Sequence, residues 1–249
     1  MSRHHRAALA AALVSLIGVT AASADVRIHG ATTVSFGLIK PNKEKIERMS
    51  GVTITILPSS TTRGLLDLAQ GRADIAMLAE PLETAAESIN KKETGSIDVG
   101  DLASKHVGNA YVQFIINPAN PLQTLPKAQL ADLFSGRVKN WSEVKGSNQQ
   151  VILVGEPTST PHRLIAEALG IAYSPDLRIV QNTNQTAMIV AQAPGALSYI
   201  STAHDLPERG KLKVVDSDVK LPLRLFLAYR KDAPEQVKKV VDAAASLGT

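Results

Sequence analysis

The chain has 249 residues, 27 Lys and Arg against 23 Asp and Glu, and no cysteine. Disulfides, thiolate metal sites and Cys nucleophiles are therefore excluded. No run of Lys and Arg interleaved with aromatics marks a nucleic-acid surface, and after the amino-terminal segment no apolar run approaches the roughly 20 residues of a bilayer span.

The amino terminus, Met1-Ser2-Arg3-His4-His5-Arg6, is followed by an apolar run from Ala7 to Ala22 and closes with Ala22-Ser23-Ala24. Charged, apolar and small-residue parts in that order define a secretory signal peptide over residues 1–24, and cleavage is expected after Ala24. Export to the periplasm follows. The run is too short and Ala-rich for a lasting anchor, so no stable membrane insertion is expected after cleavage. Loss of Arg3 and Arg6 takes Lys and Arg from 27 to 25 against 23 acids, so the mature charge is close to neutral.

Short β-rich segments follow at Val26–His29, Thr53–Leu57, Ile75–Leu78, Tyr111–Asn117, Val151–Val154, Ala196–Ile200 and Leu225–Tyr229. Several are continuously apolar, as buried strands are. Helical patterns lie between them, roughly at Ser35–Met49, Arg63–Gln70, Lys127–Phe134, Pro161–Leu169, Asn184–Ala193 and Pro234–Leu247. Alternating strands and helices predict an open α/β sheet. Glu83–Val107 is charged and weakly patterned and reads as a surface excursion, and Asn117-Pro118-Ala119-Asn120-Pro121 reads as a hinge.

The densest chemical signal is Pro58-Ser59-Ser60-Thr61-Thr62, where a strand feeds a helix. Hydroxyls and unpaired backbone N–H groups at a helix start bind small anions. Two further loops repeat the theme, Gly30-Ala31-Thr32-Thr33-Val34 and Glu156-Pro157-Thr158-Ser159-Thr160-Pro161, each after a strand. Ser and Thr cap helices everywhere, but three such loops could converge on one ligand at the carboxyl ends of strands, where open sheets bind. The mature chain's four His (His29, His106, His162, His204) form no HExxH or carboxylate cluster, so neither a metal nor a cofactor is expected. Ser159 with His162 suggests a hydrolase only weakly, since Gly-x-Ser-x-Gly and an orienting carboxylate are missing. No catalytic residue is assigned.

Gly30-Ala31-Thr32-Thr33-Val34, together with Gly71-Arg72-Ala73-Asp74-Ile75, Asn117-Pro118-x-Asn120-Pro121, Leu133-Phe134-Ser135-Gly136 through Asn140-Trp141 and Pro194-Gly195-Ala196-Leu197-Ser198-Tyr199-Ile200, resembles the phosphate-type periplasmic solute-binding proteins of ABC transporters. The resemblance implies a two-lobed type II periplasmic-binding fold with a hinge and an interlobe cleft. Lobe 1 would be 25–113 plus 203–249 and lobe 2 would be 114–202. It further implies capture of phosphate or a related small oxyanion by Thr32, Thr33, Ser60, Thr61, Thr62, Ser159 and Thr160, delivery to an ABC permease, and a monomeric state.

Two positions depart from the family pattern. The family's site Asp aligns with Ala79, unless Glu80 substitutes, and its site Arg is lost near Gly155, where Glu156 follows; Arg63 or Arg163 could compensate. A carboxylate acceptor and a bidentate guanidinium are what select an oxyanion. A different small polar ligand, or a sensory or protein-interaction role, fits the same departures.

Overall fold

A computed structural model describes residues 25–91, 97–204 and 209–248 of the chain. The segment read as a signal peptide lies outside the described residues. Among the described residues nine strands form one mixed sheet.

In the first half of the sheet, β1 (Val26–Ala31) lies parallel to both β2 (Ile54–Ser59) and β3 (Ile75–Leu78). All four residues of β3 are buried, as expected of a strand covered on both faces. β9 (Pro222–Arg230) runs antiparallel beside it. The long strand β4 (Leu102–Ile116) then joins the two halves. Its residues to Tyr111 pair with β9, and those from Val112 pair with β7 (Ala196–Ser201). Beyond β7 lie β5 (Ile152–Gly155) and the two-residue β6 (Arg178–Ile179), both parallel. β8 (Lys213–Val215) pairs with Phe114–Ile116, in the second half.

Helices cover the sheet. The one-turn α1 (Thr32–Val34) runs into a π-helical turn, Ser35–Ile39, before α2 (Lys43–Ser50). The single helix expected over Ser35–Met49 is thus broken, because Pro41 supplies no N–H and excludes a continuous helical ladder. α3 (Thr61–Ala69), α5 (Lys127–Phe134), α6 (Thr160–Leu169), α7 (Thr183–Gln192) and α8 (Glu235–Ala245) fall close to their expected spans.

The expected surface excursion after Glu83 is corrected. It holds nearly all of α4 (Leu82–Asn90), whose Leu82, Ala85, Ala86 and Ile89 form a buried stripe at helical spacing, and the first six residues of β4. The expected hinge at Asn117 is a turn within the second half. There Asn117 Nδ2 donates to the carbonyls of Val190 and Ala191 at 2.8 and 3.0 Å. Trp141 is fully buried, and its indole N–H donates to the Gly195 carbonyl at 2.9 Å, so it packs rather than binds.

One close approach places the first hydroxyl loops. A Cβ on Gly64 would lie 2.5 Å from Gly30 Cα and 2.7 Å from the His29 carbonyl oxygen, and one on Gly30 (φ +131°) would lie 2.4 Å from the Met77 carbonyl oxygen. Two bare glycines let α3 press onto the end of β1. In an ordinary helix Gly→Ala stabilises by roughly 0.5–1 kcal/mol. Here the sign should invert. Gly64→Ala is expected to destabilise by about 1–3 kcal/mol in urea denaturation, and an unchanged or raised midpoint would contradict the contact.

Candidate ligand-binding cleft

The three hydroxyl loops meet where the two halves of the sheet face each other. Ser60 caps α3, its side chain accepting from the Arg63 N–H at 3.2 Å, and Ser159 caps α6, accepting from the His162 N–H at 3.3 Å. β2 ends directly before Ser60, and β5 ends at Gly155, with three residues between it and Ser159. Two helix starts, from opposite halves, thereby confront each other across the cleft.

Thr61 and Thr160 touch directly, Oγ1 to Oγ1, at 3.1 Å. The Ala79 N–H donates to Thr61 Oγ1 at 3.1 Å, and Thr160 Oγ1 donates to Glu80 Oε1 at 3.1 Å. Thr160 has one proton and gives it to Glu80, so in the Thr61–Thr160 bond Thr61 must be the donor. Arg163 on α6 closes the chain with a salt bridge to the other Glu80 oxygen and pairs with Glu167 at 2.8 Å. Thus Thr61 and Glu80 of the first half are bonded to Thr160 and Arg163 of the second.

A cavity of about 390 Å3 opens beside this network, walled by Ser60, Thr62, Arg63, Glu80, Ser159 and Arg163, with apolar Leu66, Ile89 and Pro157. On the other side of Ser159 lies a cavity of about 20 Å3, room for about one water, walled by Thr32, Thr33, Glu156, Thr183 and Tyr199. The structure therefore brings Ser60, Thr61, Thr62, Ser159 and Thr160 to one place. Thr32 and Thr33 face the smaller inner space, with Ser159 common to both. A separate cavity of about 320 Å3, lined by Lys139, Asp176 and Arg178, lies away from all three loops.

Of the two arginines weighed as replacements for the family's Arg, Arg63 is exposed and bonded to Asp67 at 3.1 Å, whereas Arg163 is largely buried in the cleft wall. Burial pushes the Glu80 carboxyl above the usual range, against the opposing pull of Arg163 and the Thr160 hydroxyl. Glu156 is likewise raised by burial, its only opposing contacts being the hydroxyls of Thr183 (2.9 Å) and Thr186 (3.5 Å). Sequence reasoning missed Thr183 and Thr186. The Asn182 cap of α7, accepting from the Gln185 N–H at 3.0 Å, repeats the polar helix start of the other loops and could have revealed them.

Ser159 and His162 do not form a nucleophile–base pair in this arrangement. The Ser159 hydroxyl accepts from a backbone N–H, while His162 Nδ1 bonds the Tyr199 hydroxyl at 2.8 Å and its ring stacks on Tyr173 at 3.7 Å. Among the described residues no group of three or more His, Asp or Glu could hold a metal ion, and no helix is long and apolar enough to cross a membrane.

Residues 18–244 match the family model of a PBP superfamily domain, so the chain belongs to that superfamily. Its fold is α/β, of the two-lobed type II periplasmic-binding class expected from the sequence. The structure superposes with a TM-score of 0.75 on a candidate phosphate ABC transporter substrate-binding protein with bound phosphate from Clostridium perfringens, at 19% identity, covering 88% of this chain and 92% of that one. The ABC-type phosphate transport receptor of Vibrio cholerae gives a TM-score of 0.64 at 20% identity, over 88% and 93% of the two chains. In sequence, the chain is 23% identical over 189 residues to the phosphate-binding protein PstS of Bacillus subtilis (strain 168). That match takes in 75% of this chain but only 60% of the relative.

The raised carboxyl of Glu156 has a measurable consequence. A group whose value is higher in the folded state than the roughly 4.3 of an unfolded Glu contributes stability in full below that value and loses it as pH rises through the folded value. Glu156→Gln removes this loss. Its urea midpoint is expected to exceed the wild-type midpoint at neutral pH, with a gap that shrinks toward pH 4, and a gap independent of pH would contradict the assignment.

Proposed function

We propose that the protein is a periplasmic solute-binding protein that captures phosphate or a related small oxyanion and presents it to an ABC transporter permease. The observation carrying this reading is the convergence of capped helix starts from both halves of the sheet on one cleft, with Thr61 and Thr160 in direct contact. Backbone N–H groups at such starts and flanking hydroxyls are donors in number, as an oxyanion requires. The similarity to phosphate-binding relatives supports the same reading, as does the leader expected over residues 1–24.

Binding is assigned to Thr32, Thr33, Ser60, Thr61, Thr62, Ser159 and Thr160, and the protein acts as a monomer without a catalytic group. The lobes are those read from the sequence, 25–113 with 203–249 and 114–202; the pairing of β8 with Phe114–Ile116 favours a return crossing after β8. Closure of one lobe on the other would trap the solute. A second reading, a small polar ligand with donors of its own, is favoured by the buried Glu156 on the inner wall.

Calorimetry of the mature protein with inorganic phosphate, sulfate competing, tests the reading. Saturable binding is expected, weakened about tenfold or more in Thr61→Ala, the scale of one hydrogen bond to a charged group. Folded protein giving no heat with either anion would overturn it in favour of the second reading.

A further inference from the structure

Two donors of the second half, the Thr160 hydroxyl and the Arg163 guanidinium, reach across the cleft to one side chain, Glu80. Thr61 donates to Thr160, Thr160 donates to one oxygen of Glu80, and Arg163 pairs with the other. The residue is 8% exposed and stands in the wall of the 390 Å3 cavity beside Ser60, Thr62 and Ser159. A carboxylate is planar and monoanionic, yet it asks of its neighbours what an oxyanion asks: charge-assisted hydrogen bonds from hydroxyls and a guanidinium. Arg163, the partly buried cation weighed as a replacement for the family's lost Arg, gives Nη2 to Glu80 and Nη1 to Glu167.

Resting on the oxyanion reading above, we infer that the Glu80 carboxylate is a built-in occupant of the anion site, which an incoming oxyanion must displace from Thr160 and Arg163. Glu80 comes from the first half and its two partners from the second, so the same contact ties the lobes together before any solute arrives. The ligand therefore competes with an internal anion that is always present at high effective concentration. Two effects follow. Wild-type affinity is lowered by the strength of the Glu80 contacts, and ligands able to use a guanidinium and a hydroxyl at once are preferred over weaker acceptors such as chloride.

The sign of one substitution decides the matter. If Glu80 competes, Glu80→Gln frees the Thr160 hydroxyl and the Nη2 end of Arg163 and tightens inorganic phosphate binding by about tenfold or more. If Glu80 instead contacts the ligand as a proton acceptor, the same change weakens binding. Calorimetry on wild type, Glu80→Gln and Glu80→Ala, each shown folded by circular dichroism, separates the two. The gain should vanish when Arg163→Met is added, because release of that guanidinium is its source. Saturable phosphate binding in wild type that is tighter in Glu80→Gln supports competition. Equal or weaker binding in both Glu80 variants overturns the inference and leaves the oxyanion reading intact. No heat from any folded variant overturns both.

Discussion

The run of bonds from Thr61 through Thr160 to Glu80 and Arg163 is the constraint on which the cleft depends. It is short, buried and built from residues on both halves of one sheet. It joins the halves where their hydroxyl-bearing helix starts meet. Taking these polar groups out of water is unfavourable unless each finds a partner, and here each does. The outcome is a cleft held shut by the kind of bonds a solute would make.

This arrangement follows from strand ends and glycines further back in the chain. β1 and β2 stop at or next to a hydroxyl-bearing helix start, β5 stops a short loop before one, and Gly30 with Gly64 lets α3 lie against the end of β1. On the far side, the Glu156 N–H donates to the Tyr199 hydroxyl at 3.0 Å, and Tyr199 also holds His162. That bond pins the turn after β5 and so aims Ser159 and Thr160 at Thr61. Burial and hydrogen bonding thus set the cleft's shape, while the two raised carboxyls set its electrostatic character.

Much of the scaffold was legible because its periodicities are strong. Ile75–Leu78 and Lys127–Phe134 match their expected spans, since a wholly apolar run and a regular helical stripe admit few alternatives. α4 was not legible, its stripe of small Ala residues being diluted by Glu83, Glu87 and Ser88. The first part of β4 was hidden for another reason. It exposes Lys105, His106 and Asn109, and its register shifts between His106 and Gly108. The hydroxyl loops were visible as a pattern, but the contact of Thr61 with Thr160 joins residues 99 apart and belongs to the tertiary fold alone. The same holds for Glu80 meeting Arg163. Sequence could name both as candidates without showing that they neutralise each other.

The central claim is that solute and Glu80 contend for the same donors between the lobes. A crystal structure of the mature protein grown with inorganic phosphate tests it most directly. The account predicts phosphate between the α3 and α6 starts, within hydrogen-bonding distance of Thr61, Thr160 and Arg163, with the Glu80 carboxylate withdrawn from Arg163. Phosphate bound elsewhere, or bound in the cleft with the Glu80–Arg163 pair intact, would contradict it.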